Sequence, residues 1–147
     1  MSERPTRRQR EIPFADHLGL DIKERHAEGA IVEAVLGDHL FQGSGRVHGG
    51  YYCVIVEMAA SAAATDWLQT DGAVRYYPDE DPETLVPFGV SNTTDFLRPA
   101  STGTLRGVSS PVHRGRRMQL WAVEVRQVET DAVVATGNLR LINTVRE

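Results

Sequence analysis

Hydrophobic positions along the chain change period twice. Leu20–Arg25 and Gly29–Leu36 are two alternating runs joined by the His26-Ala27-Glu28-Gly29 turn, which predicts a β-hairpin. Ahead of them, Pro13 opens a short segment, Phe14–Leu20, expected to hold one or two helical turns. From His48 to about Asp66 the period lengthens: Tyr51, Val54, Ile55, Met58, Ala59 and Ala62 recur at the spacing of an α-helix. Its other faces carry Cys53, Val56, Ala60, Ala63 and Ala64, so the pattern predicts a helix buried on every side. The chain then returns to strands over 88–96, 103–112, 118–128 and 132–143, punctuated by Pro99, Gly103, Gly115 and Glu129-Thr130-Asp131.

Two strands, one long helix and four strands predict an α+β fold, with the helix packed into a curved antiparallel sheet. Trp121, Val123 and Val125 alternate with Ala122, Glu124 and Arg126. Trp121 is expected to face away from the helix and to be covered by a second subunit. Residues 1–12, with Arg4, Arg7, Arg8 and Arg10, read as a flexible basic tail, residues 13–147 as one domain, and 66–87 as an exposed excursion carrying Asp79-Glu80-Asp81-Pro82-Glu83.

Composition narrows the classes. The 147 residues hold 16 Lys plus Arg against 20 Asp plus Glu, a net charge of −4, which is no footprint of a nucleic-acid binder. The single cysteine, Cys53, excludes an intramolecular disulfide and fits a reducing compartment. The N-terminus lacks the apolar core of a signal peptide, and the longest apolar stretch, Gly49–Ala64, is short, rich in Ala and interrupted by Glu57. A cytoplasmic protein without membrane contact is expected. The five histidines are scattered and there is no cysteine cluster, so no metal site is expected. There is also no Gly-x-Ser-x-Gly nucleophile elbow.

Glu57 is the unusual residue. A carboxylate inside an apolar helix is costly to desolvate unless it is paired or opens onto a cleft. The residue pattern leaves open a wet stripe, an arginine partner from a strand, or a reactive cleft. Ser61 lies four residues on and shares its face. Upstream, His48-Gly49-Gly50 leads into the helix, where the first N–H groups lack intrahelical acceptors and suit a developing oxyanion. Glu57 stands about 12 Å along the axis from Gly49, too far to share one carbonyl within a subunit. Two antiparallel copies of the helix would bring one copy's Gly49 to the other's Glu57. Gln42, in the preceding loop, is a neutral donor.

The run Gln42-x5-His48-Gly49-Gly50-x6-Glu57-x3-Ser61 resembles the active-site segment of the hotdog-fold acyl-CoA thioesterases, the PaaI/4HBT-like superfamily. It is most similar to the branch of the Arthrobacter-type 4-hydroxybenzoyl-CoA and the 1,4-dihydroxy-2-naphthoyl-CoA thioesterases. Asp95-Phe96-Leu97-Arg98-Pro99, Gly103-Thr104-Leu105 and His113-Arg114-Gly115-Arg116-Arg117 resemble that family's strand signature. The resemblance implies a hotdog fold, homodimers with a continuous sheet and shared active sites, and homotetramers. It implies hydrolysis of a small-molecule acyl-CoA, with an aromatic acyl group in this branch and no cofactor beyond the coenzyme A of the substrate. In those roles Glu57 is nucleophile or general base, Gly49 polarises the carbonyl, Gln42 assists, His48 orients the site and Ser61 holds the water. Gly50, Arg98, Arg114, Arg116 and Arg117 are then the candidates for holding substrate and the coenzyme A phosphates. The 66–87 segment is longer than the family pattern and is expected to reshape the acyl pocket. The rival from another class is a non-catalytic acyl-CoA-binding hotdog module.

Overall fold

The computed structural model describes residues 12–147, so the tail expected over 1–12 lies outside the described residues except for Ile12. A short helix, α1 (Pro13–His17), precedes the hairpin of β1 (Leu20–His26) and β2 (Gly29–Val35). The long helix α2 (Gly49–Trp67) follows, and then β3 (Leu85–Phe96), β4 (Thr104–Arg114), β5 (Met118–Gln127) and β6 (Ala132–Val145). All pairings are antiparallel, in the order β1-β2-β4-β5-β6-β3, and the sheet curves around α2 in the hotdog arrangement.

Small residues set how closely helix and sheet approach. Ala59, Ala60, Ala63 and Ala64 are fully buried along α2, against Val32, Leu105, Trp121, Val125, Leu139 and Leu141 of the sheet. Where the helix bears larger side chains, the strands use glycine. A Cβ on Gly137 would stand 2.8 Å from both methyls of Val56 and from Thr94 Oγ1, and one on Gly107 would run into Ile55. Ser109 fixes the register by donating to the Ala59 carbonyl at 2.8 Å and accepting from the Ala30 amide at 2.9 Å.

Three expectations change. Trp121 faces inward, fully buried, its Nε1 donating to Gln119 Oε1 at 2.8 Å, and the outward set is Ala122, Glu124 and Arg126. Gln119 in turn bonds Asn143 and the Ala64 carbonyl, so the indole is anchored by a satisfied polar chain. Second, α2 is not covered all round. Tyr51, Tyr52, Ile55, Val56, Ala59, Ala60, Ala62, Ala63, Ala64 and Trp67 are buried, but Cys53, Val54, Met58 and Ser61 are half-buried and Glu57 is exposed. Six strands embrace the helix from one side and leave its other side bare. Third, 66–87 is not wholly an exposed excursion. The helix runs on through a π-helical turn (Leu68–Gly72) into α3 (Ala73–Tyr76), and Trp67, Leu68, Ala73 and Leu85 are buried. Thr70, Asp71, Val74 and Arg75 are exposed, as is the acidic stretch 78–83, which Tyr77 ties to the body by donating to the Arg116 carbonyl at 2.6 Å.

The two sheet edges differ. β1 ends the sheet with Asp21, Lys23, Glu24, Arg25 and His26 and a bulge after Ile22, the charged and irregular edge that resists pairing. β3 ends it with twelve residues that carry no charge before Asp95, and Phe88, Val90, Phe96 and Leu97 are exposed along and just beyond it. That edge is open to another strand.

Replacing Gly137 with alanine forces a methyl into the Val56–Thr94 contact and is expected to lower stability by about 1–3 kcal/mol, read from the denaturant midpoint.

Candidate active site

The bare side of α2 forms one wall of a cavity of about 520 Å³. Val54, Glu57, Met58, Ser61, Ala62 and Thr65 descend the helix side of it, at the three-and-four spacing that puts residues on one face. Ile12 and Phe14 close it from α1, and Ile22 and Arg25 from β1. The walls are mostly apolar, with a carboxylate at one level and a guanidinium deeper along the helix. Among the described residues Glu57 has no ion-pair or hydrogen-bond partner. Its Oε1 lies 3.6 Å from where a Cβ of Gly89 would be, so the carboxylate sits in the angle between α2 and the open strand β3. Of the three readings that the sequence leaves open for Glu57, an arginine partner is not found among the described residues, while its exposure and its place on the cavity wall fit both a wet stripe and a cleft.

The other sequence-derived groups gather at the start of α2. His48 is the N-cap: its backbone is extended, and its Nδ1 accepts the Gly50 N–H at 2.9 Å. The accepting Nδ1 leaves the proton of a neutral ring on Nε2. Gly50, expected among the substrate contacts, therefore has its amide occupied by His48. The Gly49 N–H, one position earlier, donates to no acceptor among the described residues. Gly49 also lies under the Phe96 ring of β3, where a Cβ would come within 2.5 Å of the ring edge. Gln42 occupies the exposed tip of the 41–47 hairpin, closed by the Phe41–Val47 bridge and by the Gln42 N–H donating to the Arg46 carbonyl at 2.8 Å. A second cavity of about 230 Å³ touches His48, His39, Leu40, Phe41 and Tyr51, and shares Val54 with the first. Tyr51 donates its hydroxyl to the Leu18 carbonyl at 2.8 Å, and burial pushes that phenol up to about 12. Within one chain, Gln42, His48 and Gly49 thus stand at one end of the open face, and Glu57 with Ser61 two turns along it.

The arginines separate. Arg98 lies at the N-terminal end of α2, where its carbonyl accepts the Tyr52 hydroxyl, while the 113–117 turn lies at the C-terminal end, where Arg114 stacks on Trp67 at 5.6 Å. From Tyr52 to Trp67 the helix rises roughly 22 Å. Arg114 is engaged: it donates to the Ala27 carbonyl at 2.9 Å and to Glu28 at 2.8 Å, and stacks on Trp121 as well. Its guanidinium holds the Glu28 carboxyl below the usual carboxylate range. Arg114 thus has a structural role through its Nη1 and its stacked face, beside the phosphate contact that the resemblance implies for it. Arg116 and Arg117 are exposed in the turn.

Sequence reading missed Arg25, Phe14 and Gly89. Arg25 looks like any charge of an edge strand, and only the fold brings it 41 positions onward to Asp66, near the end of α2. No group of three or more His, Cys, Asp or Glu side chains able to hold a metal exists among the described residues. No described helix is long and apolar enough to cross a membrane.

Comparison with known proteins shows the family and agrees with the fold. The family described as the thioesterase superfamily matches residues 44–134. Rv1847 of Mycobacterium tuberculosis, whose name marks it as a candidate esterase, is 42% identical over 132 residues, covering 90% of this chain and 86% of that protein. The 1,4-dihydroxy-2-naphthoyl-CoA hydrolase of Escherichia coli is 30% identical over 108 residues, covering 72% of this chain and 70% of its own. Among solved structures, that of Rv1847 superposes with a TM-score of 0.81 at 40% identity, over 92% of this chain and 99% of the other. AziG of S. sahachiroi superposes at 0.79 with 36% identity, over 94% and 100%.

Arg114→Leu separates the structural role from phosphate binding. It is expected to destabilise the fold by about 1–3 kcal/mol through lost stacking and an orphaned carbonyl, read by denaturation. The KM for a coenzyme A thioester is expected to stay within about twofold if the brace held through Nη1 and the stacked face is the whole role of Arg114, and to rise by more if Nη2 or Nε also reaches a phosphate.

Proposed function

The chain belongs to the thioesterase superfamily, and from that premise we propose that it hydrolyses an acyl-CoA thioester to the free acid and coenzyme A, in a site shared by two copies. The observation that carries this reading is Glu57: an unpaired carboxylate at the side of an apolar cavity, set against a strand edge that is open to pairing.

Pairing of β3 with β3 of a second copy would continue the sheet and lay the two α2 helices side by side. The unengaged Gly49 amide of one copy then meets the Glu57 carboxylate of the other, as the helix geometry requires. In this arrangement the thioester carbonyl oxygen accepts the Gly49 N–H, and negative charge developing there is met by a fixed donor. Gln42, on the adjoining hairpin tip, adds a neutral donor at the carbonyl or the leaving sulfur. His48, held by its own Nδ1 bond to Gly50, keeps the helix start in place and presents Nε2–H. Glu57 either attacks the carbonyl carbon, giving a mixed anhydride that water then opens, or takes a proton from water as it attacks. In both routes the thiolate of coenzyme A leaves and gains a proton. Ser61, beside Glu57 in the cavity, is placed to hold that water.

The acyl group occupies the cavity, where Phe14, Ile22, Val54 and Met58 suit an aromatic or other apolar body. Arg98 of one copy, with Arg116 and Arg117, supplies exposed cations for the coenzyme A phosphates. The outer sheet face, with Val108 and Ile142 exposed, is the surface on which two dimers would stack into a homotetramer. The protein works in the cytoplasm in this reading, where acyl-CoA is found, and water is its only co-reactant.

Two measurements test it. Glu57→Ala is expected to lower thiol release from a good acyl-CoA substrate by at least ~100-fold with the fold intact. Unchanged turnover would move the chemistry elsewhere, and stabilisation by acyl-CoA with no hydrolysis across a broad panel would make the protein a binding module. Refolding a mixture of inactive Glu57→Ala and Gln42→Ala chains is expected to restore roughly a quarter of wild-type activity, since half the dimers are mixed and each holds one intact site. No recovery would mean that each chain works alone.

A further inference from the structure

The open strand β3 turns two polar side chains toward α2. Residues 92, 94 and 96 pair with Leu139, Gly137 and Ala135 of β6, all buried, so Asn92, Thr94 and Phe96 share the side of the sheet that meets the helix. Asn92 Nδ2 donates to the Cys53 carbonyl of α2 at 3.0 Å, and Thr94 Oγ1 donates to Asn92 Oδ1 at 2.7 Å. The Cys53 carbonyl can only accept, so it takes the amide's nitrogen, and the Thr94 hydroxyl holds the amide's oxygen. Within α2 the same carbonyl already accepts the N–H four residues on, which is that of Glu57. The bond from Asn92 is therefore a second bond to a satisfied acceptor, and its effect is on where the helix stands. The same strand meets the helix at two other levels. The Phe96 ring lies over Gly49, and Gly89 faces Glu57. Gly49, Cys53 and Glu57 follow one another at four-residue spacing along one line of α2, and Asn92 pins that line at its midpoint.

Resting on the thioesterase reading, we propose that Asn92, oriented by Thr94, is a positioning residue of the shared site. It sets the axial placement of α2 against β3, and so brings the Gly49 amide of one copy into line with the Glu57 carboxylate of the other. A site of that kind puts the two-fold axis level with residue 53, midway between the two groups. The helices run in opposite directions there, so a slip of each helix along its own β3 moves the amide and the carboxylate in opposite senses. The misalignment is then twice the slip. Apolar contacts between helix and strand are non-directional and resist separation more than sliding, whereas a hydrogen bond to a single carbonyl resists sliding through its distance and angle. A displacement of about 1 Å at the reacting groups costs on the order of 100-fold in rate, so a slip of roughly half that in each helix is enough. Asn92 touches neither the thioester nor the attacking water. It acts through the position of the helix, and the chemical step is left to Glu57.

The test is steady-state thiol release by the purified full chain from benzoyl-CoA and octanoyl-CoA. Asn92→Ala is expected to lower kcat by roughly 10- to 100-fold while KM stays within about twofold. Thr94→Val keeps the shape but loses the hydroxyl that orients the amide, and is expected to lower kcat by roughly three- to tenfold; Thr94→Ser, which keeps the hydroxyl, is expected to stay within about twofold of the wild type. Because both residues act through one bond, the double variant Asn92→Ala, Thr94→Val is expected to be no slower than Asn92→Ala alone. Unchanged kcat in Asn92→Ala and Thr94→Val overturns the inference. So does a loss that appears in KM alone, that Thr94→Ser shares with Thr94→Val, or that multiplies in the double variant. A loss recovered by raising the protein concentration also overturns it, since association rather than alignment is then at fault. Where Asn92→Ala does not fold, Thr94→Val against Thr94→Ser decides by itself. In each of these outcomes the wild type still releases thiol and the hydrolase reading stands. A wild type that releases thiol from no ester overturns the hydrolase reading and this inference together.

Discussion

The contact between α2 and the concave face of the sheet decides the rest of the structure. Alanines on the helix meet the larger side chains of the strands, and strand glycines meet Ile55 and Val56 of the helix, so the two approach until Gly107 and Gly137 have no room for a Cβ. Close approach gives strong burial with little side-chain bulk, and it lets six short-looped strands curve around one helix. It also has a geometric consequence. A sheet that grips a helix from one side exposes the other, and here the exposed side holds Val54, Glu57, Met58 and Ser61 beside an uncharged strand edge. The same packing that makes the core leaves an apolar cavity and an open edge next to each other.

The placement of the chemical groups follows from helix geometry. A helix offers unbonded amides only at its start, and the N-cap His48 leaves Gly49 as the one whose N–H lies next to the capped pair and is still unengaged. A carboxylate at the helix start would sit against those amides and be held by them. At Glu57, two turns on, it has no partner among the described residues and stands about 12 Å along the axis from the Gly49 amide. In the proposed shared site that separation would be closed only between two helices laid side by side, which would tie activity to association. The charged, bulged edge at β1 complements this by leaving β3 as the edge open to pairing.

Much of this was legible in the sequence. The elements lie within a few residues of their predicted spans, because period-2 and period-3.6 runs are long here and the turns carry Pro, Gly and Asp. The His48-Gly49-Gly50 entry and the lone Glu57 were visible as chemistry out of keeping with an apolar helix. What the pattern could not give was which side of a strand is the inside. The alternation of Trp121 with Ala122 is the same whichever face meets the helix, and the indole was assigned outward although it anchors the core. The bare side of α2 was hidden for a related reason: Val54 and Met58 look like core residues whether they face a sheet, a ligand or another subunit. The arginines show the limit most clearly. Arg98, Arg114, Arg116 and Arg117 look alike in sequence, yet the fold places Arg98 at the start of the helix axis and the other three at its end, and uses Arg114 as a stacked brace between two tryptophans.

Arg25 makes the converse case. It sits on an edge strand among charges whose evident use is to keep that edge unpaired, and nothing in its neighbourhood along the chain distinguishes it from Lys23 or Glu24. Lys23 pairs with Asp21 in the open, where such a pair contributes little. Arg25 instead turns across the sheet to Asp66 and the Ala62 carbonyl, in a sheltered position where an unmatched donor is costly. A protein needing only stability would gain as much from an apolar pair at that contact. The pair ties β1 to the last turns of α2, and it sets a charged group beside Ala62 and Thr65 on the cavity wall, a placement that only the fold, and not the local pattern of charges, could give.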